Sequence, residues 1–238
     1  KAIELDPRDA YTWYSKGNAL DDLGKHEEAI ECYDKAIELD PRDEYSWSSK
    51  GLALGKLDKY KEAIECFDKA IELDPKYVYA WNNKGLAFGK LGKPEWAIEC
   101  YDKAIEIDPK YVYSWNNKGN AFYDLGKYKE AIECYDKAIE IEPKNAYSYS
   151  NKANVFYHLG KYKEAIECYD KAIELNPKYV YAWSSKGLAF GKLGKYKEAI
   201  ECCDKAIELD PRDAYTWYSK GNALDDLGKH EEAIECYD

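Results

Sequence analysis

Residues 10–43 read AYTWYSKGNALDDLGKHEEAIECYDKAIELDPRD, and six further stretches keep step with them, beginning at Glu44, Val78, Val112, Ala146, Val180 and Ala214. Pro7, Pro41, Pro75, Pro109, Pro143, Pro177 and Pro211 are each 34 residues apart. A fixed period in this range marks a repeat architecture and takes precedence over any other reading of the sequence. The expected organisation is one array over residues 1–238. Residues 1–9 form the end of a second helix, complete repeats run over 10–43, 44–77, 78–111, 112–145, 146–179 and 180–213, and a partial repeat covers 214–238.

Within one repeat, Trp13, Gly17, Leu20 and Leu23 recur at spacings of three and four, the stripe of an amphipathic helix. Gly24 stands where a left-handed residue closes a helix, and a second stripe follows in Ala29, Ile30, Tyr33, Ala36 and Ile37. Asp40-Pro41 stops that helix, because proline donates no hydrogen bond and biases its predecessor away from helical geometry. Asp9, Asp43 and Asn145 are placed to cap the first helix of the next repeat. Connections this short bring successive helices together antiparallel. One helix pair buries too little apolar surface to fold alone, so the repeats must stack.

The Trp, Gly, Leu, Gly, Ala, Tyr, Ala and Pro of each repeat, here Trp13, Gly17, Leu20, Gly24, Ala29, Tyr33, Ala36 and Pro41, resemble the tetratricopeptide repeat signature over the whole chain. The resemblance implies an all-α fold, a right-handed superhelical solenoid of antiparallel helix pairs. One departure is shared by all seven repeats: Lys16, Lys50, Lys84, Lys118, Lys152, Lys186 and Lys220 stand where the family usually has leucine. They read as structural, with the alkyl stem packed between helices and the ammonium reaching a carboxylate or solvent. Tyr149 and Ala153 replace the recurrent Trp and Gly in one repeat.

Composition excludes several classes of function. The net charge of -11 repels phosphate backbones and anionic lipid, which argues against nucleic acid and membrane surfaces as partners. No apolar run approaches the roughly 18 residues of a spanning helix. There is no methionine, so the sequence is expected to be part of a longer product. Seven of the eight cysteines, Cys32, Cys66, Cys100, Cys134, Cys168, Cys202 and Cys236, share one repeat position. Helix pairs stack about 9–10 Å apart, beyond the roughly 7 Å Cα limit for a disulfide. The cysteines therefore read as small packing residues in a reducing, cytoplasmic compartment, with no metal spacing among them. His26 and His230 replace a recurrent tyrosine. No carboxylate pair, nucleophile or phosphate loop stands out, so neither catalysis nor a cofactor is expected.

In the family the first helix of each repeat lines the concave surface, and the resemblance implies that Tyr11, Tyr14, Ser15, Asn18, Asp21 and Asp22 and their equivalents look inward. A tyrosine kept in every repeat, including Tyr79, Tyr113 and Tyr147, is either a row of rigid contact surface or a cover for the neighbouring helix. Asn83, Asn117 and Asn151 hold one inward position in three successive repeats. Asn82 and Asn116 stand beside two of them, and Asn120 and Asn154 lie one turn on. Amides donate and accept together, so such a ladder suits the main chain of an extended peptide, while Asn and Ser are also simply tolerated on a polar surface. The pattern is similar to the asparagine ladder in the repeat domain of O-GlcNAc transferase. The carboxylate clamp of repeat co-chaperones is not matched, since Lys56, Lys90 and Lys192 lie at a different point on the helix.

The expected function is thus a protein-interaction scaffold that binds an extended peptide segment of a partner on its concave face. The alternative is an assembly module. Residues 1–34 and 205–238 are identical letter for letter, and tail followed by head rebuilds one repeat, so head-to-tail association through uncapped ends is the second expectation.

Overall fold

A computed structural model describes residues 1–238 and contains helices and turns only. It divides into two compact units, Lys1–Leu125 and Gly126–Asp238. In the first, a short α1 (Ala2–Leu5) precedes α2 (Ala10–Asp22), α3 (His26–Leu39), α4 (Glu44–Lys56), α5 (Tyr60–Leu73), α6 (Val78–Lys90), α7 (Pro94–Ile107) and α8 (Val112–Asp124). The second holds α9 (Tyr128–Ile141), α10 (Ala146–His158), α11 (Tyr162–Leu175), α12 (Val180–Lys192), α13 (Tyr196–Leu209), α14 (Ala214–Asp226) and α15 (His230–Tyr237).

The boundaries follow the chemistry of the repeat. Asp9, Asp43 and Asn145 accept hydrogen bonds from the first free amides of α2, α4 and α10, satisfying donors that the helix leaves open. Gly24 takes φ +75°, and the Lys25 amide reaches back to the Leu20 carbonyl at 2.9 Å, a Schellman closure. Asp58 holds the same left-handed place in the second repeat at φ 59°, without the freedom of glycine.

The second helices bury one stripe, as Ala29, Cys32, Tyr33 and Ala36 do in α3, and α3, α5, α7, α11 and α13 each pack against the first helix of their own repeat and that of the next. Gly85 lets the Tyr101 ring lie directly against the backbone of α6: a Cβ there would sit 2.5 Å from Tyr101 Cε1. First helices also touch one another, α2 with α4, α4 with α6 and α6 with α8. Their free faces consequently form one surface in the first unit.

The recurrent tryptophan ties the repeats together. Indole Nε1 donates to the carbonyl of the preceding linker proline, Trp47 to Pro41 at 3.2 Å, Trp81 to Pro75 at 3.1 Å and Trp115 to Pro109 at 3.0 Å. The lysines that replace leucine do as their position suggested. Lys50, Lys84, Lys118, Lys152, Lys186 and Lys220 reach Asp34, Asp68, Asp102, Asp136, Asp170 and Asp204 at 2.5–2.7 Å. Lys50, Lys84, Lys118, Lys186 and Lys220 also place the ammonium 5.4–5.9 Å from the tryptophan ring of their own repeat, within cation–π range.

Candidate interaction surface

Along a helix, positions i, i+4, i+7 and i+11 share one face. In α6 these are Tyr79, Asn83, Leu86 and Lys90, and in α4 they are Tyr45, Ser49, Leu52 and Lys56. The flanking helices keep the tyrosine but not the rest: α2 carries Tyr11, Ser15, Asn18 and Asp22, and α8 carries Tyr113, Asn117, Asn120 and Asp124. Four rows therefore cross the first unit, with two leucines and two lysines in its middle repeats.

The tyrosine row is open to solvent, with Tyr79 54% and Tyr113 65% exposed, and Tyr147 lies exposed in the second unit. Solvent reaches these rings, which is what contact surface requires. In the first unit the row is stiffened by linker tyrosines. Centroids from Tyr45 through Tyr77, Tyr79 and Tyr111 to Tyr113 are 5.3–5.8 Å apart, an unbroken run of ring contacts. Burial pushes the Tyr77 and Tyr111 hydroxyls up to about 12, so the linker rings stay neutral.

The asparagines separate into two kinds. Asn83 and Asn117 lie on the open face, half-buried. Asn82 and Asn116 are only 3% exposed, and this corrects their assignment to a peptide-contacting surface. A residue one place earlier on a helix is turned by about 100°, which carries the Asn82 amide into the seam between α6 and α8. There its Oδ1 accepts from Ser114 Oγ at 3.1 Å and from Asn117 Nδ2 at 3.0 Å, while its Nδ2 donates to Asn83 Oδ1 at 3.3 Å. Asn116 Nδ2 donates to the Val112 carbonyl at 3.3 Å. In the second unit Asn151 is buried, and Asn154 Oδ1 accepts from the Tyr169 hydroxyl at 2.6 Å, so that amide serves packing. Asn120 is half-buried at the matching place in α8.

What remains is a donor and an acceptor. With Oδ1 engaged, Asn83 keeps Nδ2 open, and Asn117, with one amide proton given to Asn82, keeps Oδ1 open. Beside Asn83 an apolar groove of about 240 Å³ runs between α4 and α6 over Leu52, Leu86, Tyr60 and Phe67, with Lys56 and Lys90 along it. Sequence reasoning missed this groove. Its signal was the replacement of Asn18 and Asp21 by Leu52 and Gly55 at the equivalent positions.

No three metal-ligating side chains form a group that could hold an ion. All eight cysteines are free thiols. Burial raises Cys66 and Cys100 to about 11, although the neighbouring Lys50 and Lys84 pull the other way, and a thiol in that range is a poor nucleophile. His26 Nδ1 lies 2.7 Å from Asp21 Oδ1, and Lys56 Nζ lies 2.7 Å from Asp21 Oδ2, a local pairing on the helix face.

A tetratricopeptide repeat family model matches residues 10–43, 45–77, 78–111 and 180–213, more than half of the sequence. The chain belongs to the tetratricopeptide repeat family. Two further models of the same repeat match 100–133 and 202–235, and 119–160 and 153–194. No curated protein sequence gives a match. Among solved structures, a tetratricopeptide repeat protein from Parabacteroides merdae superposes with a TM-score of 0.76 at 18% identity, covering 95% of this chain and 90% of that one. The Cut9 and Hcn1 hetero-tetramer of the APC/C gives a TM-score of 0.78 at 17% identity over 93% of this chain and 44% of that one. Both likenesses speak to the solenoid fold alone. YrrB, described as a TPR protein with an unusual peptide-binding site, is 26% identical with a TM-score of 0.59, covering 78% of this chain and 96% of that one. A tetratricopeptide repeat array is a scaffold typical of protein–protein interaction, and its fold is generally non-catalytic. No helix here is long and apolar enough to cross a membrane.

Proposed function

We propose that the chain is a non-enzymatic scaffold that holds an extended peptide segment of a partner protein against the first helices of its first compact unit. The observation that carries this reading is the open amide pair, Asn83 Nδ2 and Asn117 Oδ1, beside an apolar groove and a row of exposed tyrosines. An extended main chain presents carbonyls and amides in alternation, so one donor and one acceptor on neighbouring helices suit it whatever its side chains. Tyrosines add rigid contact area at low conformational cost. The peptide-binding site named for YrrB, a relative at 26% identity, supports the same class of ligand. Eight free thiols support a reducing, cytoplasmic location.

The test is a peptide-array screen followed by fluorescence anisotropy on the hits. Asn83→Ala with Asn117→Ala should weaken unrelated peptide sequences by similar factors, because the contacts are to the main chain. Unchanged affinity across the set would overturn the reading.

A further inference from the structure

Two helical glycines of α4 have different reasons to be there. At Gly51 a Cβ would lie 2.8 Å from the Phe67 ring, so packing demands its absence. At Gly55 a Cβ would meet nothing within 4 Å, and the backbone is ordinary helix. Glycine within a helix is disfavoured relative to alanine. Gly55 lies in the wall of the groove, and a larger side chain there would project into it.

The groove has a chemistry of its own. Leu52 and Leu86 are 41% and 40% exposed, an apolar pair left facing solvent. Lys90, at one end of the same face, is exposed and has no carboxylate partner in the chain, whereas Lys56 is held by Asp21. In the flanking repeats the lysine position carries Asp22 and Asp124, so positive charge on this row is confined to the two repeats that carry the leucines. The triple recurs once more, as Leu188, Gly191 and Lys192, but its neighbours Asn154, Tyr157 and His158 and Asn222, Asp225 and Asp226 lack it. Only in the first unit do two such repeats adjoin.

We propose that this groove selects an extended segment of a partner protein carrying a large apolar residue with an acidic residue within two positions of it. The apolar side chain covers Leu52 and Leu86 over Gly55, and the carboxylate meets Lys90. The inference rests on the peptide-binding reading above and adds sequence preference to it. Main-chain contacts through Asn83 and Asn117 are indifferent to side chains, so preference must come from a pocket of this kind.

The experiment is panning of a phage-displayed random dodecamer library on the full chain and on Lys90→Glu, Gly55→Leu and, as an off-groove control, Lys110→Glu. Wild type and the control should enrich Leu, Ile, Met or Phe next to Asp or Glu. Lys90→Glu should select Lys or Arg at the acidic position, and Gly55→Leu should lose the apolar preference while melting no lower than wild type. With the winning peptide in solution, replacing its acidic residue by the neutral amide should cost about threefold in affinity or more. Replacing its apolar residue by Ser should cost about tenfold or more. Enriched peptides without the pair, or an acidic preference that survives Lys90→Glu, would overturn this inference and leave peptide binding standing. No enrichment on any of the proteins would overturn both.

Discussion

Gly85 and Gly89 lie one turn apart on α6, and alanine at each should move stability in opposite directions. At Gly85 the new methyl would sit 2.5 Å from Tyr101 Cε1 and 2.9 Å from both Cδ1 and Cζ. Carbon atoms rest at about 3.5–4.0 Å, so the overlap is close to 1 Å. Tyr101 is only 3% exposed, and its ring cannot swing away into solvent. Overpacking of this kind costs about 1–3 kcal/mol, against a gain of about 0.5–1 kcal/mol from better helix propensity. The net expectation for Gly85→Ala is a loss of about 1–2 kcal/mol. At Gly89 nothing lies within 4 Å, so only the propensity term acts and Gly89→Ala should gain about 0.5–1 kcal/mol. Guanidinium denaturation followed by far-UV circular dichroism reads the difference. Amide exchange within α6 localises it, which matters because repeat arrays need not unfold in one step. Two losses of equal size, or a gain at Gly85, would refute the packing assigned to the Tyr101 ring.

Trp81→Phe keeps an aromatic ring but removes the hydrogen bond to the Pro75 carbonyl, and should cost about 0.5–1.5 kcal/mol by denaturant titration, with no such loss for Tyr149→Phe in the repeat that lacks the tryptophan. Asp58 holds a left-handed conformation at φ 59°, so Asp58→Gly should raise the melting temperature, less whatever its 2.5 Å bond from the Tyr60 hydroxyl contributes. Burial raises Cys66, Cys100 and Cys202 from the ordinary 9.0 to about 11, which means that the folded chain holds these protons more tightly than the unfolded one. Their contribution is therefore complete below pH 9 and is lost as the pH rises towards 11. The urea midpoint should be flat with respect to these groups up to pH 9 and fall above it; a midpoint that rises with pH there would contradict their burial.

Much of the fold was legible because the repeat wrote each instruction seven times. The glycine at Gly24, the caps at Asp9 and Asn145 and the stop at Asp40-Pro41 act through the local backbone, and local rules suffice to read them. Lys84 was readable for a different reason: a lysine kept in all seven repeats, where the family usually has leucine, marks a structural position. The surface was harder. Asn82 and Asn83 are chemically identical neighbours, and only the 100° turn between them, set against the seam with α8, decides that one ties helices together and the other faces out. Asn154 looked like a ladder member until Tyr169 took its carbonyl oxygen. The tryptophan bond to the linker proline spans six residues around a turn, a geometry that periodicity does not reveal.

In the proposed function, the first helices of the first unit carry the ligand. Hydrogen–deuterium exchange of the full chain, with and without a saturating panned peptide, tests it directly. Slowed exchange in α4, α6 and α8 and at the start of α5 beneath the groove, with α3 and α7 unchanged, is the predicted result. Protection confined to the second helices, or spread evenly over both sets, would contradict it.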